Sequence, residues 1–303
     1  MHTRMEVHQR PLLALGVRLI AAGALATMLL MVKLVGERGV SLVETVFWRQ
    51  LFPTVGIGLW LVSRSELHRL RTPRFGRHSL RAFLGLIGMF LNLGVVTLLP
   101  LAESTILGFT SPIFAVVLAA LMLREKVGPV RWLAVTLGLL GIIVIAGPGT
   151  SAMPLDGLAV GIGAAFMVAL LSILVRDLTR TEDPIVIVFW FSSLTSIALA
   201  IPAFWLGQSH DLVTWSLLLG IGLFGGIGQM LLTTSLRLGS VSSVIVMDYS
   251  AFGWAMMWGW LFFAHIPPAT TWLGLPIIVG AGLIIVWREH RLHVARQVAA
   301  VGE

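Results

Sequence analysis

Long apolar runs alternate with short polar segments along the whole chain. Apolar windows of about 17 to 25 residues are long enough to cross the hydrocarbon core of a bilayer as α-helices. The sequence contains ten such windows, and the connections between them are too short to hold a soluble domain. The predicted spans are 12–34, 41–63, 80–98, 100–123, 130–147, 156–175, 184–206, 212–236, 240–263 and 270–288.

The order of these apolar runs repeats. Residues 100–148 hold two runs joined by the polar hinge REKVGPVR, and residues 240–288 hold two runs joined by the hinge AHIPPATT. A second echo, the tripeptide VFW at 46–48 and again at 188–190, lies at a similar offset. A repeat of this length indicates a duplicated half-protein rather than a solenoid.

Each half carries five spans, and an odd number gives the two halves opposite orientations in the membrane. We therefore predict an all-α membrane protein in which ten transmembrane helices form two inverted five-helix repeats. Residues 1–148 are the first repeat, and residues 149–303 are the second, with a short cytoplasmic C-terminal tail. We expect the first apolar run to be retained as a span, because it continues to Val32, well past a stretch that resembles a signal-peptide cleavage site.

The composition points to the same class of protein. The chain is 57% hydrophobic and only 12% charged, with a mean hydropathy of +0.94, which lies outside the usual range of soluble domains. The formal net charge is +7, but the basic residues lie in the short connections, as in cytoplasmic loops, which argues against nucleic-acid binding. The sequence has no cysteine, so disulfides and thiolate metal sites are excluded.

The distribution of Lys and Arg predicts the orientation of the spans. With the N-terminus inside, the outer segments hold only Lys33 and Arg38, and both chain ends are cytoplasmic. High usage of Arg relative to Lys is typical of GC-rich bacteria and would place the protein in a bacterial inner membrane. The predicted inner segments hold Arg4, Arg10, Arg64, Arg69, Arg71, Arg74, Arg77, Arg81, Arg124, Lys126, Arg131, Arg176, Arg180, Arg237, Arg288, Arg291 and Arg296.

The sequence lacks the motifs of enzymes and of ATP-driven pumps. There is no HExxH, no GxSxG elbow and no Walker A loop, so zinc hydrolysis, a nucleophile elbow and ATP use have no basis in the sequence. All eight histidines are expected in termini or loops. We predict that the protein is not an enzyme, and we expect neither a metal site nor a cofactor.

Charged residues inside spans are costly and mark candidate functional sites. Arg49 lies deep in span 2, where it either binds a carboxylate or phosphate group of a substrate or pairs with an acid on another helix. Asp248 in span 9 is a candidate counter-ion of Arg18, a proton-coupling carboxylate or a ligand for a substrate amine. Arg18 can instead snorkel to the cytoplasmic interface. Glu44 and Glu103 lie near the outer ends of their spans, where we expect solvated interfacial carboxylates.

Uncharged polar and aromatic side chains complete the candidate binding site. Asn92 and Gln229 either line a cavity or form hydrogen bonds between helices. Trp48 and Trp254 lie away from the span ends and are candidates for stacking on a substrate. The predicted substrate-binding set is Trp48, Arg49, Asn92, Ser111, Gln229, Asp248, Tyr249 and Trp254.

The two long repeat blocks resemble a known family. The run LAESTILGFTSPIFAVVLAALMLREKVGPVRWLAVTLGLLGIIVIAGPG resembles EamA-type members of the drug/metabolite transporter superfamily, with a proline at Pro112 in the fourth span and an acidic hinge residue at Glu125. The run MDYSAFGWAMMWGWLFFAHIPPATTWLGLPIIVGAGLIIVWRE resembles the matching second half. A proline inside a span favours a kink, which in transporters often lies beside the cavity.

Within this superfamily, the chain is similar to the branch with S-adenosylmethionine and riboflavin uptake carriers and organic-anion carriers. The resemblance implies a central cavity lined by helices 1 to 4 and 6 to 9, peripheral helices 5 and 10, and alternating access without ATP hydrolysis. Arg49 matches a basic residue often found in the second helix of the family. His265 stands at the second hinge, where an acidic residue is usual, which suggests a pH-sensitive group on the outer face.

We predict a secondary active transporter of a small organic metabolite that carries a carboxylate or phosphate group or is zwitterionic. A broad exporter of amphiphilic drugs, which the aromatic lining would suit, is the alternative, and a membrane-embedded enzyme is a further one. The expected partners are a small-molecule substrate, the lipid bilayer, and a proton or counter-substrate for coupling, with no nucleic acid. A monomer and a homodimer are both compatible with the sequence.

Overall fold

The computed structural model describes residues 11–122, 128–146, 153–179, 181–238 and 245–301. These residues form α-helices with two short 3-10 segments, Leu67–Leu70 and Ile245–Tyr249, and the described part of the chain contains no strand. The helices are α1 (Pro11–Glu37), α2 (Leu42–Ser63), α3 (Phe75–Leu98), α4 (Leu101–Gly108), α5 (Ser111–Met122), α6 (Pro129–Ala146), α7 (Leu155–Leu178), α8 (Pro184–Leu206), α9 (Leu212–Leu238), α10 (Ser250–Phe263) and α11 (Ala269–Val301).

All ten predicted spans correspond to helices, with α4 and α5 as successive parts of the fourth. Over the described residues, seven helical segments are long and apolar enough to cross a membrane, and α6 contains a shorter apolar segment, Trp132–Ala146. Two further spans differ in length or polarity. The described helix of the ninth span, α10, has 14 residues, and α2 carries Arg49 and Gln50 within its apolar stretch.

The fourth span is broken, whereas the sequence predicted a kink. Phe109 donates its N–H to Ile106 O at 3.0 Å and Thr110 donates to Leu107 O at 3.1 Å, so the end of α4 tightens into 3-10 geometry. Pro112 then provides no N–H in the first turn of α5, where none is needed. In the second half, the 3-10 segment that ends at Tyr249 is followed directly by α10, so the ninth span has its irregularity at the matching place.

The contacts between helices follow the repeat. The most extensive contacts pair the two halves: α1 with α9, α2 with α8, α3 with α7, and α6 with α11. Exchanging each helix for its repeat equivalent turns the α1–α9 contact into the α7–α3 contact. The same exchange leaves the α2–α8 and α6–α11 contacts unchanged. A fold of two equivalent halves therefore packs about one pseudo-two-fold axis, as in inverted-repeat transporters.

Glycines bring α9 close to α2. A Cβ at Gly222 would lie 2.7 Å from the Cβ of Phe52, and a Cβ at Gly226 would lie 3.0 Å from the Cγ of Pro53. These two glycines are four residues apart on one helix face, the spacing that permits close helix approach in membranes. Close packing against α2 is therefore the role that the structure gives to this glycine-rich face.

Successive spans alternate in direction, so the connections divide between two ends of the bundle. Residues 38–41, 207–211 and 264–268 lie at one end, which we name the outer end after the predicted orientation. Residues 64–74 and 181–183 lie at the other, which we name the inner end. The orientation itself stays a prediction from the distribution of basic residues.

Candidate functional site

Arg49 is buried between helices, and no described residue offers it a carboxylate partner. The residue is 8% exposed on α2, and its Nε and Nη1 donate to the sulfurs of Met28 and Met89 at 3.0 and 2.9 Å. Thioether sulfur is a weak acceptor, so these contacts compensate little of the lost hydration of a cation. Within the described residues, no carboxylate lies within ion-pair distance of Arg49.

Gly225 of α9 has no side chain, and the Arg49 side chain packs into the space beside it. A Cβ at Gly225 would lie 3.2 Å from Arg49 Nε and 3.0 Å from Met28 Sδ. Gln229 lies four residues after Gly225, on the same face of α9. Asn92 lies three residues after Met89, on the same face of α3. Both polar residues therefore share a helix face with a residue that lies against Arg49. Both side chains are half-buried.

Arg81 is a second buried arginine, and it lies within α3 although it was counted with the basic residues of the inner segment. Because α3 begins at Phe75, Arg81 lies in the second turn of the helix and is 6% exposed. Its guanidinium carbon lies 3.8 Å from the centroid of the Phe191 ring on α8, a cation–π contact. Its Nε and Nη1 have no hydrogen-bond partner among the described residues.

His78 also contradicts the expectation that every histidine lies in a terminus or loop. It is 1% exposed in the first turn of α3, and its Nε2 lies 3.9 Å from Glu182 Oε1. Just before α3, Thr72 Oγ1 accepts the backbone N–H of Arg74 at 3.0 Å. Hydropathy missed this turn, because its residues are polar and their burial depends on the neighbouring helices.

Arg18 and Asp248 form a bidentate ion pair. Arg18 Nε donates to Asp248 Oδ1 and Arg18 Nη2 donates to Oδ2, both at 2.6 Å. Arg18 Nη1 lies 3.4 Å from Leu232 O and from Ser235 Oγ. The Arg18 side chain is only 7% exposed, whereas that of Asp248 is 38% exposed, so the pair joins a buried guanidinium to a partly exposed carboxylate. This pair joins α1 to α9 and to the 3-10 segment before α10.

The aromatic candidates occupy separate places in the bundle. Trp48 stacks on Phe52 at a centroid distance of 5.6 Å and meets Trp215 edge to face at 5.1 Å, on the α2–α9 side. The rings of Trp254 and Trp258 are stacked with a centroid distance of 6.4 Å, and Trp254 lies against α1. Tyr249 packs against Phe109 at 4.9 Å, toward α6 and α11. These three residues therefore do not form one cluster.

The remaining predicted positions lie at helix junctions. Ser111 and Pro112 begin α5, immediately after the break in the fourth span. His265 follows α10, and its Nε2 lies 3.0 Å from Glu103 Oε1. Glu125, the predicted acidic residue of the first hinge, lies outside the described residues. His265 thus lies at the outer end of the bundle, whereas Ser111 lies inside the fourth span.

Two carboxylates that we expected to be solvated are buried. Glu44 and Glu103 are each 4% exposed, because histidines from other connections cover them. His210 Nε2 lies 2.8 Å from Glu44 Oε1, and His265 covers Glu103. The sequence placed these acids correctly near the outer ends of their spans, but it gave no signal for partners more than 160 residues away.

Two sets of polar contacts, which we name the inner clasp and the outer clasp, join the halves at opposite ends. In the inner clasp, Arg69 Nη2 lies 3.1 Å from Asp183 Oδ2, Thr72 Oγ1 donates to Glu182 Oε1 at 2.6 Å, and Arg74 pairs with Asp177. In the outer clasp, Arg38 Nη1 lies 3.3 Å from Asp211 Oδ2, and Glu44 meets His210. The inner clasp joins the connection after α2 to the residues before α8. The outer clasp joins the residues at the start of α2 to the connection after α8. The two clasps are therefore equivalent under the repeat.

Thr214 favours the ionised form of Asp211 in the outer clasp. Hydrogen bonds from its side chain and its backbone N–H lower the pKa of Asp211. The carboxylate that faces Arg38 therefore stays ionised at neutral pH.

The chain is similar to membrane transporters over nearly its full length. The EamA-like transporter family matches residues 12–147 and 155–287. A riboflavin transporter of Vibrio cholerae is 32% identical over 235 residues, which cover 76% of this chain and 78% of that protein. The pseudopaline exporter CntI of Pseudomonas aeruginosa is 31% identical over 272 residues, which cover 87% and 93%. A solved crystal structure with 18% identity and a TM-score of 0.61 covers 91% of this chain and 98% of its own, which shows likeness of fold.

Proposed function

Because the chain belongs to the EamA-like transporter family, within the drug/metabolite transporter superfamily, we propose that it moves a small organic metabolite by alternating access as a secondary active transporter. The family and the relatives are transporters rather than enzymes, and the chain is an integral multi-pass membrane protein. The proposed substrate carries a carboxylate or phosphate group, with or without a balancing positive charge. A bacterial inner membrane is the proposed location, since the riboflavin transporter and the pseudopaline exporter to which the chain is similar are bacterial proteins.

The observation that carries this proposal is the uncompensated charge of Arg49. A guanidinium removed from water loses several kcal/mol of hydration unless an opposite charge and hydrogen bonds replace it. Arg18 receives that compensation from Asp248, whereas the described neighbours of Arg49 provide only two methionine sulfurs. An anionic group of a substrate would supply the missing partner, and charge-assisted bonds of this kind favour planar carboxylates and phosphates.

The two clasps support alternating access. A carrier needs barriers on both sides of its binding site that open in turn, and an inverted repeat builds two equivalent barriers from one design. The inner and outer clasps occupy equivalent positions in the two halves and consist of ion pairs and hydrogen bonds that can break singly. Arg49 lies between them, about eight residues along α2 from its outer end.

Export of amphiphilic compounds is the second candidate function. It is favoured by the similarity to a protein named as a pseudopaline exporter, and by the aromatic group of Trp48, Phe52 and Trp215. A buried, unpaired Arg49 does not fit a site for cationic drugs. Direction of transport is therefore to be measured together with substrate charge.

Ligand-induced thermal stabilisation tests the proposal. The purified protein, Arg49→Ala and Arg64→Ala are compared across anionic, zwitterionic, cationic and neutral metabolites, riboflavin included. Arg64 is an exposed arginine at the end of the same helix, so its variant controls for loss of a positive charge. A ligand at about 100 times its dissociation constant adds roughly 2.7 kcal/mol to the free energy of unfolding.

We expect carboxylate- or phosphate-bearing compounds to stabilise the parent protein and Arg64→Ala but not Arg49→Ala. Compounds that pass this test then enter uptake and efflux assays in proteoliposomes, which give the direction of transport. Equal stabilisation of all three proteins by cations would contradict the proposal and would make Asp248 the next residue to test.

A further inference from the structure

Arg81 and Arg49 approach each other along one face of α3. Arg81, Gly85 and Met89 are spaced four residues apart, so they lie above one another on the helix. The Arg81 guanidinium extends beside Gly85, because a Cβ at Gly85 would lie 2.8 Å from Arg81 Nη1. The Arg49 guanidinium ends at Met89, whose sulfur lies 2.9 Å from its Nη1. The two positions on α3 that the guanidinium groups approach, Gly85 and Met89, are about 6 Å apart along the helix axis.

Both groups are cations in a place where water is scarce. Arg49 is 8% exposed and Arg81 is 6% exposed, and the described residues offer neither of them a carboxylate. The positive charge of Arg49 also repels Arg81, so each raises the cost of the other. A substrate with one negative charge would compensate only one of them. A substrate with two negative charges would compensate both.

Phe191 holds Arg81 in a way that leaves hydrogen-bond donors free. A cation–π contact uses the face of the planar guanidinium, whereas hydrogen bonds to an anion use N–H groups at its edge. The guanidinium carbon of Arg81 lies 3.8 Å from the centroid of the Phe191 ring, and Nε and Nη1 have no partner among the described residues. Phe191 follows Trp190 as Arg49 follows Trp48, so the two residues occupy equivalent positions in the two halves. The first half has Arg49 at this position, and the second half has the ring that contacts Arg81.

We infer that Arg49 and Arg81 together form one site for a substrate with two negative charges, either two carboxylates or a doubly charged phosphate. The inference rests on the proposed function, because it takes Arg49 as an anion ligand. It adds Arg81 as the second ligand and narrows the substrate class from anions in general to dianions. Asn92, on the Met89 side of α3, is placed to bind polar groups next to the charges.

Matched compounds that differ by one negative charge test the inference. Dissociation constants are measured by calorimetry for succinate against monomethyl succinate, and for glycerol 3-phosphate against its methyl phosphodiester, which keeps one negative charge. The first pair tests a dicarboxylate and the second tests a phosphate, so the two sources of double charge are told apart. The proteins are the parent, Arg49→Gln, Arg81→Gln and Arg77→Gln. Arg77→Gln is the control, because Arg77 is an exposed arginine on the same helix as Arg81.

We expect the parent to bind at least one dianion about tenfold or more tightly than its matched compound, which is the size of one charge-assisted hydrogen bond. Arg81→Gln should lose this preference for succinate while its affinity for monomethyl succinate stays within about twofold. Arg77→Gln should keep the preference, and Arg49→Gln should bind neither anion. If Arg81→Gln proves unstable, Arg81→Met removes the same charge with a side chain that suits apolar surroundings, and the ratio is measured on that variant.

The inference is overturned if the parent shows no preference for either dianion, or if removing the Arg81 charge leaves the preference intact. In both cases, loss of monoanion binding in Arg49→Gln would still support the proposed function. If the anions bind equally well to the parent and to Arg49→Gln, the proposed function fails as well. The two failures are therefore distinguishable.

Discussion

Two arginines in the first two helices show how the surroundings decide the role of one residue type. Arg18 and Arg49 are both nearly buried, at 6% and 8% exposure. The guanidinium of Arg18 is satisfied by Asp248 and by acceptors on α9, so removing it would leave a carboxylate without its partner. The guanidinium of Arg49 leaves nothing charged behind when it is removed. Opposite effects on stability follow from this difference.

Replacement of Arg49 by methionine is predicted to stabilise the ligand-free protein. Arg49→Met removes an uncompensated charge and places a thioether beside Met28 and Met89, so the free energy of unfolding should rise by about 1–3 kcal/mol. Arg18→Met should lower it by about 1–3 kcal/mol, because Asp248 loses its ion pair. Chemical denaturation of the purified proteins in detergent measures both. A loss of stability in Arg49→Met as large as that in Arg18→Met would show that Arg49 is structural.

At the scale of elements, the α9–α2 contact depends on the absence of side chains. Gly222 and Gly226 let the backbone of α9 approach Phe52 and Pro53, and Gly225 between them leaves room for Arg49. The same close approach therefore provides both the packing of two helices and the position of the candidate ligand. Glycine at these positions has a steric reason, whereas a Cβ added at Gly56 of α2 would meet no atom within 4 Å.

A matched pair of alanine substitutions tests this steric argument. Gly222→Ala should lower the free energy of unfolding by about 1–3 kcal/mol, because its Cβ would meet Phe52 at 2.7 Å. Gly56→Ala, on α2 with no atom within 4 Å of the added Cβ, should be neutral or stabilising by up to about 1 kcal/mol, as alanine is the better helix former. Equal effects of the two substitutions, measured by thermal unfolding, would contradict the packing role.

At the scale of the whole molecule, the two clasps join the halves of the bundle at both ends. Each clasp joins one half to the other, so opening either end requires the halves to move relative to each other. Most of these pairs are partly exposed, and single exposed pairs contribute about 0–1 kcal/mol each. Barriers of this strength can open at physiological temperature.

Cross-linking either clasp is predicted to stop transport. Because the sequence has no cysteine, the pair Thr72→Cys with Glu182→Cys can be bridged at the inner end by a short thiol-reactive cross-linker without background. The pair Arg38→Cys with Asp211→Cys serves at the outer end. Proteoliposome flux should fall to background on bridging, whereas each single cysteine variant should keep its flux. Unchanged flux after complete bridging of both pairs would rule out the clasps as gates.

The orientation of the bundle is open to a direct test. Arg71 and Gln208 are exposed residues at the inner and outer ends, respectively. In intact cells, a membrane-impermeant thiol reagent should label Gln208→Cys and not Arg71→Cys, and lysis should expose Arg71→Cys. The reverse labelling pattern would show that the orientation predicted from the basic residues is inverted.

The sequence by itself was sufficient to predict the membrane class, the ten helical spans, the two-repeat fold and the transporter family. These properties depend on the length of apolar runs and on similarity between segments, which can be identified without knowledge of which helices meet. The position of Arg49 within a span was visible for the same reason. Residues 1–148 and 149–303 stay predicted bounds of the repeats, since the junction lies outside the described residues.

Only the tertiary structure decided which group each charge meets. The pairing of Arg18 with Asp248, the covering of Glu44 by His210 and the burial of Arg81 under Phe191 all join residues more than 100 positions apart. A hydropathy scale scores each of these residues by its own polarity alone. The free energy of the residue in the bundle also depends on the groups that helices of the other half place around it. The candidate site lies where those halves meet, and its second arginine therefore became visible only once the fold was known.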